Sequence, residues 1–361
     1  MIKSKLPCLG LLLAVLAQTL VGGVARAEAD ALERPALMRQ RVGAAVMLTV
    51  TRADGRLVAA GERGIVQYSD DNGKSWTQAQ VPVSVSLTKL YFPSPRLGWA
   101  VGHSGVVLHS SDAGATWSKQ LDGRLAAAAQ LAAARQAASA GTEEGRRRIK
   151  TAERLVADGP DKPFFDVYFF DDNRGLIVGA YGLIFATEDG GKSWTPQQHR
   201  IDNPKEKHLY GIAIAGKDVY IAGEQGALFR AKDGSGPFEE EKTPYAGTFF
   251  GIQSDGKLRL NLFGLRGNAY WSDEGRTWHK SETGAPISLT AGTRLRDGSL
   301  VLVDESGRLL HSSDGGASFR AVPMARPAPL TGIVQAADGA LVVAGLRGLS
   351  RIDAAAAGGA K

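Results

Sequence analysis

One octapeptide recurs along this chain, and its spacing constrains the fold more than any other feature. It reads Ser69-Asp-Asp71-Asn-Gly73-Lys-Ser75-Trp76, Ser110-Ser-Asp112-Ala-Gly114-Ala-Thr116-Trp117 and Thr187-Glu-Asp189-Gly-Gly191-Lys-Ser193-Trp194. It returns as Trp271-Ser-Asp273-Glu-Gly275-Arg-Thr277-Trp278 and Ser312-Ser-Asp314-Gly-Gly316-Ala-Ser318-Phe319, with a worn copy at Ala231-Lys-Asp233-Gly-Ser235-Gly-Pro237-Phe238. The consensus, Ser/Thr-x-Asp-x-Gly-x-Ser/Thr-Trp/Phe, is the Asp box. Its chemistry is local. The Asp carboxylate accepts from amides just ahead of it and closes a turn. Gly supplies a backbone angle other residues resist, and the hydroxyls satisfy further backbone groups. The aromatic residue then buries a large ring as the chain re-enters a strand. Each box offers one carboxylate, where calcium takes about six or more oxygens, so the boxes are read as structural and no metal or cofactor is expected.

A second motif precedes each box: Gly61-Glu-Arg-Gly64, Gly102-His-Ser-Gly105, Gly179-Ala-Tyr-Gly182, Gly223-Glu-Gln-Gly226, Gly264-Leu-Arg-Gly267, Asp304-Glu-Ser-Gly307 and Gly345-Leu-Arg-Gly348. Short apolar runs flank each copy, as strand, tight turn and strand require. First positions of this motif are 41, 77, 44, 41, 40 and 41 residues apart, and the Asp-box aspartates 41, 77, 44, 40 and 41. Two independent markers thus keep one period. A period of about 40 residues with four strands per unit predicts an all-β fold, a seven-bladed β-propeller of four-stranded blades. The seventh unit lacks its Asp box. The segment Pro35 to Val42 precedes the first inner strand, and it is expected to complete the last blade and close the ring.

Lys3 and Lys5, the apolar stretch Leu9 to Val24 and Ala25-Arg26-Ala27 form the layout of a secretory signal peptide cleaved after Ala27. Residues 28–353 are read as the propeller and 354–361 as a disordered Ala/Gly tail. Cleavage removes Cys8, the only cysteine, so the mature chain is expected to lack disulfides and thiol chemistry. It also removes three cations, leaving 40 basic against 37 acidic residues. That balance, in an exported protein with no run of basic residues alternating with aromatics, argues against nucleic acid as partner. The expected location is periplasmic.

The gap of 77 holds one period plus about 36 extra residues between Leu121 and Phe164. Alanine, Glu, Arg and Leu dominate there, and Gly141-Thr142 reads as one helix's end and the next one's cap. A helical hairpin over 122–160 is predicted, zipped by Leu125, Leu131, Ile149, Leu155 and Val156. In an antiparallel blade the Gly-x-x-Gly turns and the blade-to-blade links share one rim, so the insertion lies on the face of those turns. That face is read as carrying Arg63, His103, Tyr181, Gln225, Arg266, Ser306 and Arg347 at equivalent positions, with Glu62, Glu224 and Glu305 one residue earlier. Three arginines on one rim suit an acidic partner. Arg63, His103, Tyr181, Gln225, Arg266 and Arg347 are the candidate partner-binding residues. Inner-strand candidates for the central channel are Lys89, Asp166, Tyr210 and Phe250, while Phe164-Phe165 and Phe169-Phe170 are read as packing.

The period, the Asp boxes, the signal peptide and stretches such as Gly98-Trp-Ala-Val-Gly-His-Ser-Gly-Val-Val-Leu-His-Ser-Ser-Asp112 resemble the photosystem II stability/assembly factor family. The resemblance covers about residues 35–353. It implies a non-catalytic, lumenal or periplasmic factor that helps assemble a membrane complex, with a basic patch as contact surface. Arg63, Arg266 and Arg347 match that patch. The implied partner is a membrane-complex subunit or other envelope protein, photosynthetic or not, with peripheral membrane association and a monomeric state expected. The competing class is a sialidase-like propeller that binds or hydrolyses glycosides, because Asp boxes also occur there and fold does not decide function. Hydrolysis needs two carboxylates across one substrate, for which Glu62, Glu224, Glu305 and Asp166 are the available acids. No Arg-Ile-Pro start motif is present, and no catalytic residue is assigned.

Overall fold

The computed structural model describes residues 30–38, 45–137, 142–324 and 326–353. The expected leader with its cleavage site, Cys8 and the Ala/Gly tail lie outside the described residues. Seven antiparallel sheets follow one another in chain order, six with four strands and the last with three. Blade one is Met47–Ala53, Arg56–Gly61, Val66–Ser69 and Thr77–Gln78. The inner strands of blades two to seven are Leu87–Tyr91, Phe164–Phe169, Leu209–Ala215, Phe249–Ser254, Leu289–Arg294 and Leu330–Gln335. As the motifs require, each Gly-x-x-Gly segment joins the second strand to the third, and each Asp box joins the third to the fourth.

The boxes form the predicted local network. Ser69 Oγ donates to Asp71 Oδ1 at 2.7 Å and accepts from the Gly73 amide at 2.8 Å. Asp71 in turn accepts from the Ser75 amide at 2.9 Å. The same pattern recurs around Asp112, Asp189 and Asp314. Two boxes depart from it. Asp273 accepts from the Arg259 guanidinium at 2.8 Å instead. Asp233 is held through its own amide, which donates to Asp218 Oδ1 at 3.0 Å.

The box aromatic of each of the first six blades packs on the blade before it around the ring. Trp117 joins Val58 and Val66, Trp194 joins Trp99 and Val101, and Phe238 joins Leu176 and Val178. Backbone bonds reinforce these seams: Gln80 donates to the Ala115 carbonyl, and the Trp117 amide donates back to Gln80, each at 3.0 Å. Between the last blade and the first, Trp76 packs with Val342, Thr331 Oγ1 donates to the Met47 carbonyl at 2.7 Å, and Arg351 donates to the Asn72 carbonyl at 2.8 Å.

The expected fourth strand of the last blade is not formed by the described part of its candidate, Pro35 to Val42. Ala36 donates to the Val81 carbonyl at 3.0 Å and Gln78 Nε2 donates to the Leu37 carbonyl at 3.0 Å, so Pro35–Met38 lie along the link from blade one to blade two. Buried Leu32 and Ala36 explain that choice, since they fit the apolar seam between those blades. The remainder, 39–42, lies outside the described residues.

The insertion forms two helices, α1 (Gly123–Ala137) and α2 (Glu143–Asp158). Thr142 caps α2 by accepting from the Gly145 amide at 3.1 Å; the residues between the helices, Gly141 among them, lie outside the described ones. The hairpin leaves blade two where Gly123 lies against the Gly105 turn so closely that a Cβ on Gly105 would sit 2.6 Å from its Cα. Only part of the predicted zipper is buried: Leu131, Ile149 and Leu155 are half-buried, Leu155 against the core of blades two and three, whereas Leu125 and Val156 face solvent; Ala126, Ala127, Ala134, Gly145 and Ala152 are the fully buried positions.

Replacing Trp117 by Ala should cost about 3–5 kcal/mol in denaturant unfolding, since it leaves a ring-sized hole between blades one and two. A second expectation concerns acid. Hydrogen bonds from Ser193 hold the Asp189 carboxyl below its ordinary 3.8, at about 2. A depressed carboxylate contributes stability that is complete above the ordinary value and is lost as pH falls through the folded one. Asp189→Asn should therefore flatten the acid-unfolding curve between those two values, and an unchanged curve would refute the assignment.

Candidate partner-binding face

Sevenfold repetition makes every position comparable with six others. At the turns, the residue after the first motif position and the next one form a tight bend whose second residue is left-handed: Arg63 (φ 54°), Ser104 (φ 57°), Tyr181 (φ 54°), Gln225 (φ 54°) and Arg266 (φ 56°). The register assigned from sequence is therefore corrected in blade two. Ser104 is the partner of Arg63 in the repeat, and His103 stands where blade one has Glu62. Ser306 and Arg347 sit in turns of another type, where neither is left-handed and only the glycines after them, Gly307 (φ 91°) and Gly348 (φ 87°), have positive φ. In blade six this follows from Asp304, whose buried carboxylate accepts from the Ser306 and Arg308 amides and from the Arg308 guanidinium.

Arg63, His103, Tyr181, Gln225, Arg266 and Arg347 are all exposed on the rim shared with the blade-to-blade links, the same rim from which the helical hairpin emerges. The guanidinium groups of Arg63, Arg266 and Arg347 have no carboxylate partner among the described residues. Arginines elsewhere are commonly paired, as Arg56 with Asp70 at 2.7 Å and Arg154 with Glu206 at 2.7 Å. An unpaired guanidinium keeps its full set of forked donors for an incoming carboxylate.

The acids singled out from sequence have structural work. Glu224 accepts from the His208 amide at 2.9 Å and Glu305 from the Ser288 amide at 3.2 Å, each holding the chain just before the inner strand of its own blade. Asp166 is 6% exposed; it accepts from the Ile212 amide at 2.8 Å and from its neighbour Val167 at 2.9 Å. Burial pushes its carboxyl up, and Lys89 at 3.6 Å opposes that shift. Asp166 thus ties blade three to blade four. It is the only carboxylate among the described residues that line the central cavity, which has a volume of about 510 Å³. No pair of acids faces a substrate position there.

At the mouth of this cavity on the turn face lies a row of rings. Phe165 stacks on Tyr210 with centroids 4.8 Å apart, and Tyr210 meets the edge of Phe250 at 5.6 Å. His208 lies 6.3 Å from Phe165 and 4.8 Å from Tyr181, whose amide donates to His208 Nδ1 at 2.8 Å. Tyr210 and Phe250 were legible as channel candidates; Phe165 and His208 were not. The aligned period contains the missing signal, because Phe165, Tyr210 and Phe250 occupy the same second position of three successive inner strands. Tyr181 also borders a second cavity, of about 640 Å³, between the hairpin and blades three and four, walled by Ala134, Arg148, Arg200 and Phe238.

Comparison with known proteins agrees with this architecture. The profile described as "Photosynthesis system II assembly factor YCF48" matches residues 153–319, and the BNR/Asp-box repeat matches 67–78. Photosystem II assembly lipoprotein Ycf48 of Synechococcus sp. (strain CC9902) is 30% identical over 156 residues, 42% of this chain and 46% of that protein. The matched part thus spans less than half the length of that relative. A structure of YCF48 bound to a D1 peptide superposes with TM-score 0.62 at 17% identity, covering 90% of this chain and 99% of the other. Streptogramin B lyase, an enzyme by name, superposes with TM-score 0.66 at 12% identity over 90% of this chain and 99% of its own. Likeness at such identities establishes the fold alone.

Removing the Asp166 carboxylate tests its structural role. Asp166→Ala strands two buried amide donors, which should cost about 1–3 kcal/mol in denaturant unfolding, and an unperturbed midpoint would show that the carboxylate is dispensable. By its repeats and its blades the chain is an Asp-box β-propeller, and its residues 153–319 are similar to the photosystem II assembly factor YCF48.

Proposed function

We propose that the turn face receives a segment of a membrane-complex subunit or other envelope protein, and that the chain serves as a non-catalytic, exported assembly scaffold. The observation that carries this reading is the set of exposed arginines, Arg63, Arg266 and Arg347, presented on one rim without carboxylate partners among the described residues. The bound D1 peptide of the structurally similar YCF48 supports a polypeptide as ligand. The relative named a lipoprotein supports an exported or membrane-associated setting. Cleavage after Ala27 and action in the periplasm belong to the same reading. Among the described residues no helix is long and apolar enough to cross a membrane.

The glycosidase reading draws no support from the cavity, because Asp166 and Glu224 are each occupied by backbone amides and do not confront one another. An affinity pull-down from solubilised envelope should retain a membrane protein on the purified chain. An Arg63/Arg266/Arg347→Glu variant with an unchanged melting temperature should lose it. Equal retention by both forms would exclude this face, and retention by neither would exclude the scaffold reading.

A further inference from the structure

The second residue of each inner strand stands at the channel mouth. In chain order these seven residues are Leu48, Thr88, Phe165, Tyr210, Phe250, Thr290 and Thr331. In three of the blades the position does structural work with a small side chain. Thr88 Oγ1 donates to the Phe164 carbonyl of the next blade at 2.7 Å, Thr290 Oγ1 to Leu330 at 2.7 Å, and Thr331 Oγ1 to Met47 at 2.7 Å. Threonine therefore suffices to join neighbouring blades at this point. The fold does not demand rings in blades three, four and five, yet all three carry one, on one side of the mouth.

These rings are not sealed into the core. Phe165, Tyr210, Phe250 and His208 are half-buried, while the residues just before the three rings, Phe164, Leu209 and Phe249, are wholly buried. Tyr181, at 50% exposure, continues the row outward to the wall of the hairpin cavity. The opposite side of the mouth is lined by Leu48 and by threonines whose hydroxyls are already committed to backbone carbonyls. The mouth is thus a one-sided aromatic shelf: apolar and ring-faced towards blades three to five, narrow-side-chained towards blades six, seven and two, and surrounded by a rim with unpaired arginines.

We infer that this shelf is an anchor subsite for one large apolar side chain, aromatic by preference, of the bound polypeptide, whose flanking carboxylates meet the rim arginines. The inference rests on the reading that the turn face binds a polypeptide and adds which side chain that face selects. Ring-on-ring contact supplies directional attraction beyond area alone, and a central anchor bordered by charge is the usual anatomy of an energetic hot spot. Charge complementarity favours an acidic segment. A sugar ring is the other ligand an aromatic shelf could hold, but the threonine hydroxyls at the mouth that could read its hydroxyls are spent on backbone carbonyls.

Two short fluorescein-labelled acidic peptides, identical except for a central Phe or Ala, test the anchor by anisotropy titration against the whole chain. The Phe peptide should bind about tenfold tighter or more, as burial of one large apolar side chain implies. A Phe165/Tyr210/Phe250→Thr variant, which installs the residue that three sister blades use, should keep its melting temperature and bind both peptides alike. The Arg63/Arg266/Arg347→Glu variant should weaken both peptides together and preserve their ratio. Equal binding of the two peptides to the wild type would overturn the anchor while leaving the polypeptide-binding face intact. Binding of neither peptide would overturn both readings. Displacement of the Phe peptide by millimolar methyl glycosides would assign the shelf to sugars and overturn the proposal.

Discussion

The structure depends on an aromatic ring delivered from each blade into its neighbour. Six of the seven blades present a Trp or Phe at the end of an Asp box, and in four of them the turn that brings it there is held in shape by a single Asp carboxylate and two hydroxyl-bearing residues. Burying such a ring is worth several kcal/mol. Stability and closure are consequently the same property. A blade cannot be removed without uncovering the face that its neighbour's ring packs against.

This division of labour leaves the two rims unequal. The Asp-box rim is built of hydrogen bonds that close on themselves, with hydroxyls, carboxylates and amides paired within a few residues. The opposite rim carries the Gly-x-x-Gly turns, whose left-handed second residue projects outward and takes little part in holding the blade. Substitution there costs the fold little, and the residues found there differ from blade to blade: Arg63, Ser104, Tyr181, Gln225 and Arg266. The acids one residue earlier behave differently. Glu224 and Glu305 turn back to hold the start of their own blade's inner strand, so two adjacent residues of one turn serve stability and recognition separately.

Much of this was legible because the relevant interactions span few residues. The octapeptide network, the Thr142 cap and the order of strands in a blade all lie within one period, and each followed from residue types at fixed offsets. Errors arose where partners are distant in sequence. The one-residue slip that equated His103 with Arg63 came from matching residue types across blades, where position alone defines equivalence. The alanine seam of the hairpin was hidden because Leu125 and Val156 look like zipper residues until their helices are packed and face solvent. Leu32 and Ala36 gave no local sign that the seam between blades one and two would claim the segment before the first blade.

What the sequence determined by itself is the repeat: seven units, their four-strand grammar, the box that closes each outer turn and the point of insertion. A hydrogen-bond network that closes within eight residues, repeated at a constant interval, leaves a chain few other ways to bury its rings. Only the tertiary structure decided which of those repeated positions meet. Phe165, Tyr210 and Phe250 lie about 40 residues apart and become one surface because the ring of blades turns equivalent positions towards a common axis. Asp166 became a tie between blades for the same reason, since its amide partner on Ile212 belongs to the next inner strand and approaches only when blades three and four pack side by side.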